Sequence, residues 1–140
     1  MTYATRDDLA KRFGEVRMGE LADRDGDNVE DTGVVVTALL DADHTINAYL
    51  AGRYRVPLAP VEELVVRLAS ELAWYFLHGD APPEDVVAKY KAAIKTLEGI
   101  AGGFPKLQAA GLAAEPAAAG DFNAETDAPP SLMRDAMENF

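Results

Sequence analysis

The sequence predicts an all-α fold: a small four- to five-helix domain followed by a long extended C-terminal arm that ends in a short helix. Three observations lead to this prediction. Across most of the first part of the chain, apolar residues recur every three or four positions, which is the period of an amphipathic helix. Glycine or proline stands where that period breaks. Near residue 108 the periodic pattern gives way to alanine, glycine, proline and acidic residues.

Composition limits both the organisation and the chemistry of the chain. Its 140 residues, 49% of them hydrophobic, suit one ordinary domain. We divide them into a helical domain at 1–107, an acidic linker at 108–130 and a docking helix at 131–140. The net charge of −11 repels phosphate, so we expect no tight nucleic-acid binding. The absence of cysteine excludes disulfides and thiolate sites, and neither a signal peptide nor a membrane span is expected.

Two short helices are expected between Arg6 and Leu21, because Gly14 interrupts the helical period. Thr5 is suited to cap the first of them, and the acidic pair Asp7 and Asp8 complements its positive end.

The third predicted helix spans about residues 33–51, with Thr32 as its cap and Gly52 at its end. We expect Asp43 to lie at the margin of its buried face. The predicted buried face consists of Val36, Leu39, Leu40, Asp43, Ile46, Tyr49 and Leu50.

An extended connector at 53–60 separates this helix from the next, because its two prolines disfavour helix in the residues before them. The helix at about 61–78 is apolar around most of its circumference. It is therefore either the central helix of the domain or one with a second face against a partner. A last helix begins after Pro82-Pro83 and ends at Gly102-Gly103.

The segment 23–31 is the sharpest local signal. Its aspartates at relative positions 1, 3, 5 and 9 are Asp23, Asp25, Asp27 and Asp31. This spacing is similar to the start of calcium loops of the EF-hand and thrombospondin-repeat kinds, with Asn28 at the sharp turn. Position 12, normally a bidentate glutamate, is Val34. Two interpretations stay open: a weak Ca²⁺ site, which is the one cofactor we consider, or a solvated acidic turn.

Two groups of residues in the domain are candidate subunit contacts. Arg53 and Arg55 flank Tyr54 in an otherwise acidic chain, and they either pair locally with Glu62 or Glu63 or contact an acidic neighbour. Trp74 is followed by two more aromatic residues, and three adjacent residues on a helix cannot all face one core. We expect one of the three to face a partner or an interhelix groove.

The arm supplies a further candidate contact. One apolar face of its predicted helix carries Leu132, Met133, Met137 and Phe140. This face either docks on an adjacent subunit or folds back on its own domain.

Catalytic groups are not expected. His44 and His78 have no acidic residue or second histidine at i+3 or i+4, and Ser70 and Ser131 lie in no nucleophile-elbow sequence. We therefore expect a protein that is not an enzyme.

Several motifs together resemble the small Mu-like prophage proteins that are placed among head–tail joining proteins. They cover about residues 3–107 and are Tyr3-Ala4-Thr5, Arg12-Phe13-Gly14-Glu15, Asp23-Arg24-Asp25-Gly26-Asp27, Tyr49-Leu50-Ala51-Gly52-Arg53-Tyr54 and Pro83-Glu84. The resemblance implies a helical adaptor in the virion neck, present in the host cytoplasm during assembly. It implies a homo-oligomeric ring, twelve-fold by analogy, that bridges the portal protein to a neck or tail-completion protein while DNA passes through. A neck or tail-completion role and a calcium-dependent binding module are the alternatives.

Overall fold

The computed structural model describes residues 1–108, which form five α-helices and no β-strand. The helices are α1 (Arg6–Phe13), α2 (Glu15–Ala22), α3 (Thr32–Leu50), α4 (Glu63–Leu77) and α5 (Glu84–Ala101). The all-α class predicted from the sequence is confirmed. The arm, with its linker and its predicted helix at 131–140, lies outside the described residues.

Local signals determine the first two helices as predicted. The Thr5 hydroxyl accepts a hydrogen bond from the Asp8 N–H at 3.2 Å, and the Asp8 carboxylate accepts one from the Thr5 N–H at 2.8 Å. This reciprocal pair is a capping box. Gly14 then adopts a φ of 103°, which ends α1 and begins α2 in a new direction.

The buried face of α3 is rotated from the predicted one. Val36 and Leu40 are 46% and 41% exposed, so their predicted burial is wrong. The contact face instead follows Val35, Ala38 and Ala42, because α3 packs against α4 and α5 together. The predicted cap is also displaced by one residue: Thr32 is already helical, and Asp31 is the N-cap.

Helix α4 is the centre of the domain. It contacts α1, α3 and α5, which explains why apolar residues occupy most of its circumference. Leu68, Ala69 and Leu72 are completely buried, and Ser70 satisfies its buried hydroxyl by donating to the Val66 carbonyl at 2.7 Å.

Tyr3 holds the extended connector against α3. Its N–H donates to the Asp43 carboxylate at 3.0 Å, and its hydroxyl donates to the Asn47 side chain and accepts from the Leu58 N–H at 2.8 Å. The expectation that Asp43 lies at the margin of the buried face of α3 is therefore wrong. Asp43 is buried because the Tyr3 N–H satisfies its carboxylate.

The domain has two ends with different composition. The loop pole comprises the 23–31 loop, the start of α3, the end of α4 and the start of α5. The connector pole comprises residues 51–62, the end of α3, the start of α4 and residues 102–108. The 19 residues of α3 separate the poles by about 28 Å.

An arginine caps a helix C-terminus at each pole. At the loop pole, the Arg24 guanidinium donates to the Leu77 carbonyl at 2.8 Å; at the connector pole, Arg53 donates to the Ala101 carbonyl at 3.2 Å. Each cation lies where the helix dipole is negative.

We predict that Asp43→Asn changes the pH dependence of stability. Burial raises the pKa of Asp43, although the hydrogen bond from Tyr3 and the positive charges of the chain's N-terminus and His44 partly offset it. A carboxyl group whose pKa is raised by folding binds its proton more tightly in the folded than in the unfolded protein. It therefore stabilises the folded state most when it is protonated. Its contribution therefore falls as pH rises from about 4, the ordinary aspartate value, through the raised pKa.

Thermal unfolding between pH 3 and 7 checks this prediction. Asparagine keeps an acceptor for the Tyr3 N–H and does not titrate, so the variant should gain stability relative to the native chain as pH rises. Asp41→Asn, at an exposed position of the same helix, is the control. Parallel stability curves for the native chain and Asp43→Asn would contradict the prediction.

Candidate interaction surfaces

The acidic loop at 23–31 folds around the carboxylate of Asp23. One oxygen of Asp23 accepts the N–H groups of Gly26 and Asp27 at 2.9 and 3.2 Å, and the other accepts that of Asn28 at 2.8 Å. Gly26 and Asn28 have φ values of 77° and 63°, so Asn28 adopts the left-handed turn predicted for it. The Asp31 N–H closes the loop by donating to the Ala22 carbonyl at 2.9 Å.

Three of the four predicted metal ligands come together. Carboxylate oxygens of Asp23, Asp25 and Asp27 lie within 4.8 Å of one another. Asp31 is not in this group. Its carboxylate accepts the Arg24 N–H at 2.7 Å, so the structure does not bring it to the other three, and its place in a ligand set stays a prediction. Calcium takes six to eight oxygens, so three aspartates would leave most positions to carbonyl groups or water.

The carboxyl groups of this cluster interact directly. The pKa of Asp25 is raised first by a hydrogen bond between its carboxyl group and that of Asp27 and then by desolvation, with a hydrogen bond to Asp23 and the charge of Asp31 adding to the effect. Asp23 differs: desolvation raises its pKa, but the hydrogen bonds from the Asn28 N–H, the Asp25 side chain and the N–H groups of Gly26 and Asp27 outweigh this and leave the pKa below its usual value. Asp23 therefore organises the loop, whereas Asp25 carries the electrostatic cost.

Two residues predicted to lie at a subunit contact are in the core. Tyr54 is 1% exposed, and its hydroxyl accepts the Leu107 N–H at 2.9 Å. The ring of Trp74 is buried and stacks on Phe13, with centroids 4.3 Å apart. Neither aromatic ring presents surface to a partner in this fold, so both predicted contacts are corrected. Tyr54 joins irregular backbone to the core, and Trp74 joins α1 to it.

The three adjacent aromatic residues of α4 divide between two neighbouring helices and a groove. Trp74 faces α1, as described above. Tyr75 stacks on Tyr90 of α5, with centroids 3.9 Å apart. Phe76 packs edge-on to Tyr90 and also lines a groove beside α3, so it is the member of the three that reaches an interhelix groove.

That groove, called here the α3–α4 groove, is an open depression of about 560 Å³ at the loop pole. Apolar atoms come from Val34, Ala38 and Phe76, and carboxylates at its edge come from Asp31 and Asp41. The remaining lining residues are Arg24, Gly33 and Thr37. Sequence patterns did not indicate it, because its residues come from a loop and two helices.

Arg53 and Arg55, in the extended segment at 53–60, have a different environment from the one expected. Arg53 caps α5, and Arg55 is exposed. Within residues 1–108, no salt bridge involves either arginine, so local pairing with Glu62 or Glu63 is not observed. Glu62 instead accepts the Gln108 N–H. The arm residues Leu132, Met133, Met137 and Phe140 lie outside the described residues.

We predict that two neighbouring aspartates respond oppositely to the same substitution. In Asp23→Asn the amide group replaces an oxygen that accepts backbone N–H groups, so the melting temperature should fall. Asp25→Asn removes a repelling charge and keeps one acceptor, so the melting temperature should stay or rise. Thermal unfolding at pH 7 compares the two variants, and the reverse order would contradict this account of the loop.

In the part of the chain that the structure describes, no helix is long and apolar enough to cross a membrane.

Comparison with known proteins gives consistent matches. Residues 3–125 match the family described as Bacteriophage Mu, Gp36, which extends beyond the region of sequence resemblance at 3–107. Gene product J of Escherichia phage Mu is 35% identical over 104 residues, 74% of each chain. The Mu-like prophage FluMu protein gp36 of Haemophilus influenzae is 34% identical over 101 residues, 72% of each chain. Because the family match covers most of the chain and both relatives align over more than two thirds of their length, the chain belongs to the bacteriophage Mu Gp36 family.

Proposed function

We propose that this chain is a structural head–tail connector subunit of a tailed phage. It forms a ring beneath the portal protein, joins the portal to a neck or tail-completion protein and lets DNA pass. Family membership supports the phage context. The observation that carries the connector role is the separation of chemically different contact features, an acidic loop and groove at one pole and exposed cations at the other.

A subunit that works by contacts needs a rigid body, and the described domain has the features of one. Tyr3 and Tyr54 attach the irregular segments to the helices, and Arg24 and Arg53 cap α4 and α5. A ring built from rigid subunits uses the same heterologous contact at every interface.

The charge distribution suits a channel for DNA. Asp23, Asp25 and Asp27 are close together, and the chain as a whole carries −11. Each phosphate neutralised by a cation would strengthen adhesion and slow transit. We therefore propose that acidic or neutral residues line the channel, with the 23–31 loop at the channel or its rim.

The exposed arginine and lysine side chains at the connector pole complement this arrangement. Arg55 and Lys106 are exposed there. Glu62 and Glu63 lie at the same pole, where Glu62 accepts the Gln108 N–H. We propose that the exposed cations contact acidic side chains of a neighbouring subunit or of another neck protein.

We predict that the isolated protein is a monomer or weakly associated, and forms a ring only on its portal. The high negative charge opposes self-association, and portal binding concentrates the subunits. Light scattering of the purified chain, alone and with portal protein, measures this. A stable ring at micromolar concentration without portal would contradict it.

Particle assembly tests the function itself. Without this protein, we expect the phage to produce DNA-filled heads that carry no tails, as seen by electron microscopy. Complete particles would overturn the connector role. A chain that binds the tail-completion protein but not the portal would place it lower in the neck.

We predict that deletion of residues 131–140 leaves the melting temperature of the isolated domain nearly unchanged but prevents particle assembly. The apolar face of Leu132, Met133, Met137 and Phe140 is proposed to dock on an adjacent subunit or partner. Deletion of residues 119–128, which lack that pattern, is the control for chain length. A large drop in melting temperature after the 131–140 deletion would instead indicate that the segment covers its own domain.

A further inference from the structure

Phe104 is an exposed aromatic side chain on a rigid turn. It is 83% exposed in residues 1–108. Its N–H donates to the Gly99 carbonyl at 2.9 Å and the Gly103 N–H donates to the Ile100 carbonyl at 3.0 Å, a tight turn that closes the end of α5. Gly103 has a φ of 115°, and a side chain on Gly99 would meet the Phe104 carbonyl oxygen at 2.6 Å. The backbone therefore fixes the position from which this ring projects.

Cations accompany Phe104 at the connector pole. The Arg53 guanidinium lies beside Gly103, where a Cβ would be 3.5 Å from its terminal nitrogen. Lys106 follows two residues later and is exposed, and Arg55 is exposed in the neighbouring connector. Aromatic residues, phenylalanine among them, and arginine are both enriched in protein interfaces.

The α3–α4 groove at the opposite pole has the complementary chemistry. Val34, Ala38 and Phe76 offer apolar contact for a phenyl ring, and Asp31 and Asp41 offer carboxylates for the cations around it. Arg24 also lines the groove, where its guanidinium is bound to the Leu77 carbonyl. Its volume of about 560 Å³ is ample for a phenyl ring.

We propose that Phe104 of one copy inserts into the α3–α4 groove of the next copy. Arg53, Arg55 and Lys106 then face the acidic edge formed by Asp31 and Asp41. The phenyl ring of Phe104 and the α3–α4 groove lie at opposite poles of the domain. Each copy therefore uses both at once, and the contact is heterologous. This inference rests on the proposed function, since it supplies the subunit contact of the connector ring.

Photocrosslinking identifies the occupant of the groove while keeping an aromatic ring in place. Benzoylphenylalanine replaces Phe104 in the full chain, which is mixed with isotope-labelled native chain and portal protein and then irradiated. We expect crosslinks from position 104 to labelled peptides that contain residues 31–41 or Phe76. The same group at Val16, which is 72% exposed on α2, is the control and should not label them.

Substitutions test the energetic part of the contact. Phe104→Ala should weaken ring formation on the portal by about 30-fold or more, the effect of losing an interface hot spot, with no change in melting temperature. Val16→Ala should leave ring formation unchanged. Lys106→Glu should also weaken it, and Asp41→Lys in the same chain should restore it in part, because opposite charges would face each other again.

Several outcomes of these experiments would contradict the proposed contact between Phe104 and the α3–α4 groove. Crosslinks to residues 131–140 would make the arm the occupant of the Phe104 surface, and crosslinks to portal would make that surface a portal contact. A ring that forms on the portal with unchanged affinity in Phe104→Ala would refute the contact and leave the connector function standing. Complete phage particles without the protein would refute the connector function itself.

Discussion

The burial of α4 is the constraint on which the rest of the domain depends. Its apolar residues face in several directions, so it has to be enclosed by neighbours. Helices α1, α3 and α5 enclose it, and their own apolar faces are oriented by that contact. The three adjacent aromatic residues show this directly: Trp74 packs on α1, Tyr75 and Phe76 both pack on Tyr90 of α5, and Phe76 also lines the groove beside α3.

Polar interactions then determine where the non-helical segments lie. Tyr3 and Tyr54 have hydroxyl groups that accept N–H groups from the connector and from the segment after α5. These N–H groups are in irregular backbone and would otherwise be buried without a partner. Two tyrosines thus attach segments that no helix could hold, and both are buried as a result.

The sequence predicted what depends on neighbouring residues and missed what depends on distant ones. The Thr5 cap, the break at Gly14 and the turn at Asn28 are local, and all three are confirmed. The exact face of α3 depends on two other helices, so Val36 and Leu40 were assigned to the wrong side. Burial of Asp43 and Tyr54 depends on hydrogen bonds across 40 and 53 residues, which no local pattern indicates. The same reasoning explains the candidate site: the triad of aspartates was predictable, and the groove between helices was not.

Arg24 has a consequence for how the loop pole responds to binding. Its N–H holds Asp31, its guanidinium holds the end of α4, and its side chain forms part of the groove wall. The acidic loop and the groove therefore share one residue. A ligand of the loop that displaced Arg24 would also reshape the groove wall, and by thermodynamic reciprocity a ligand of the groove would then change the affinity of the loop by the same factor.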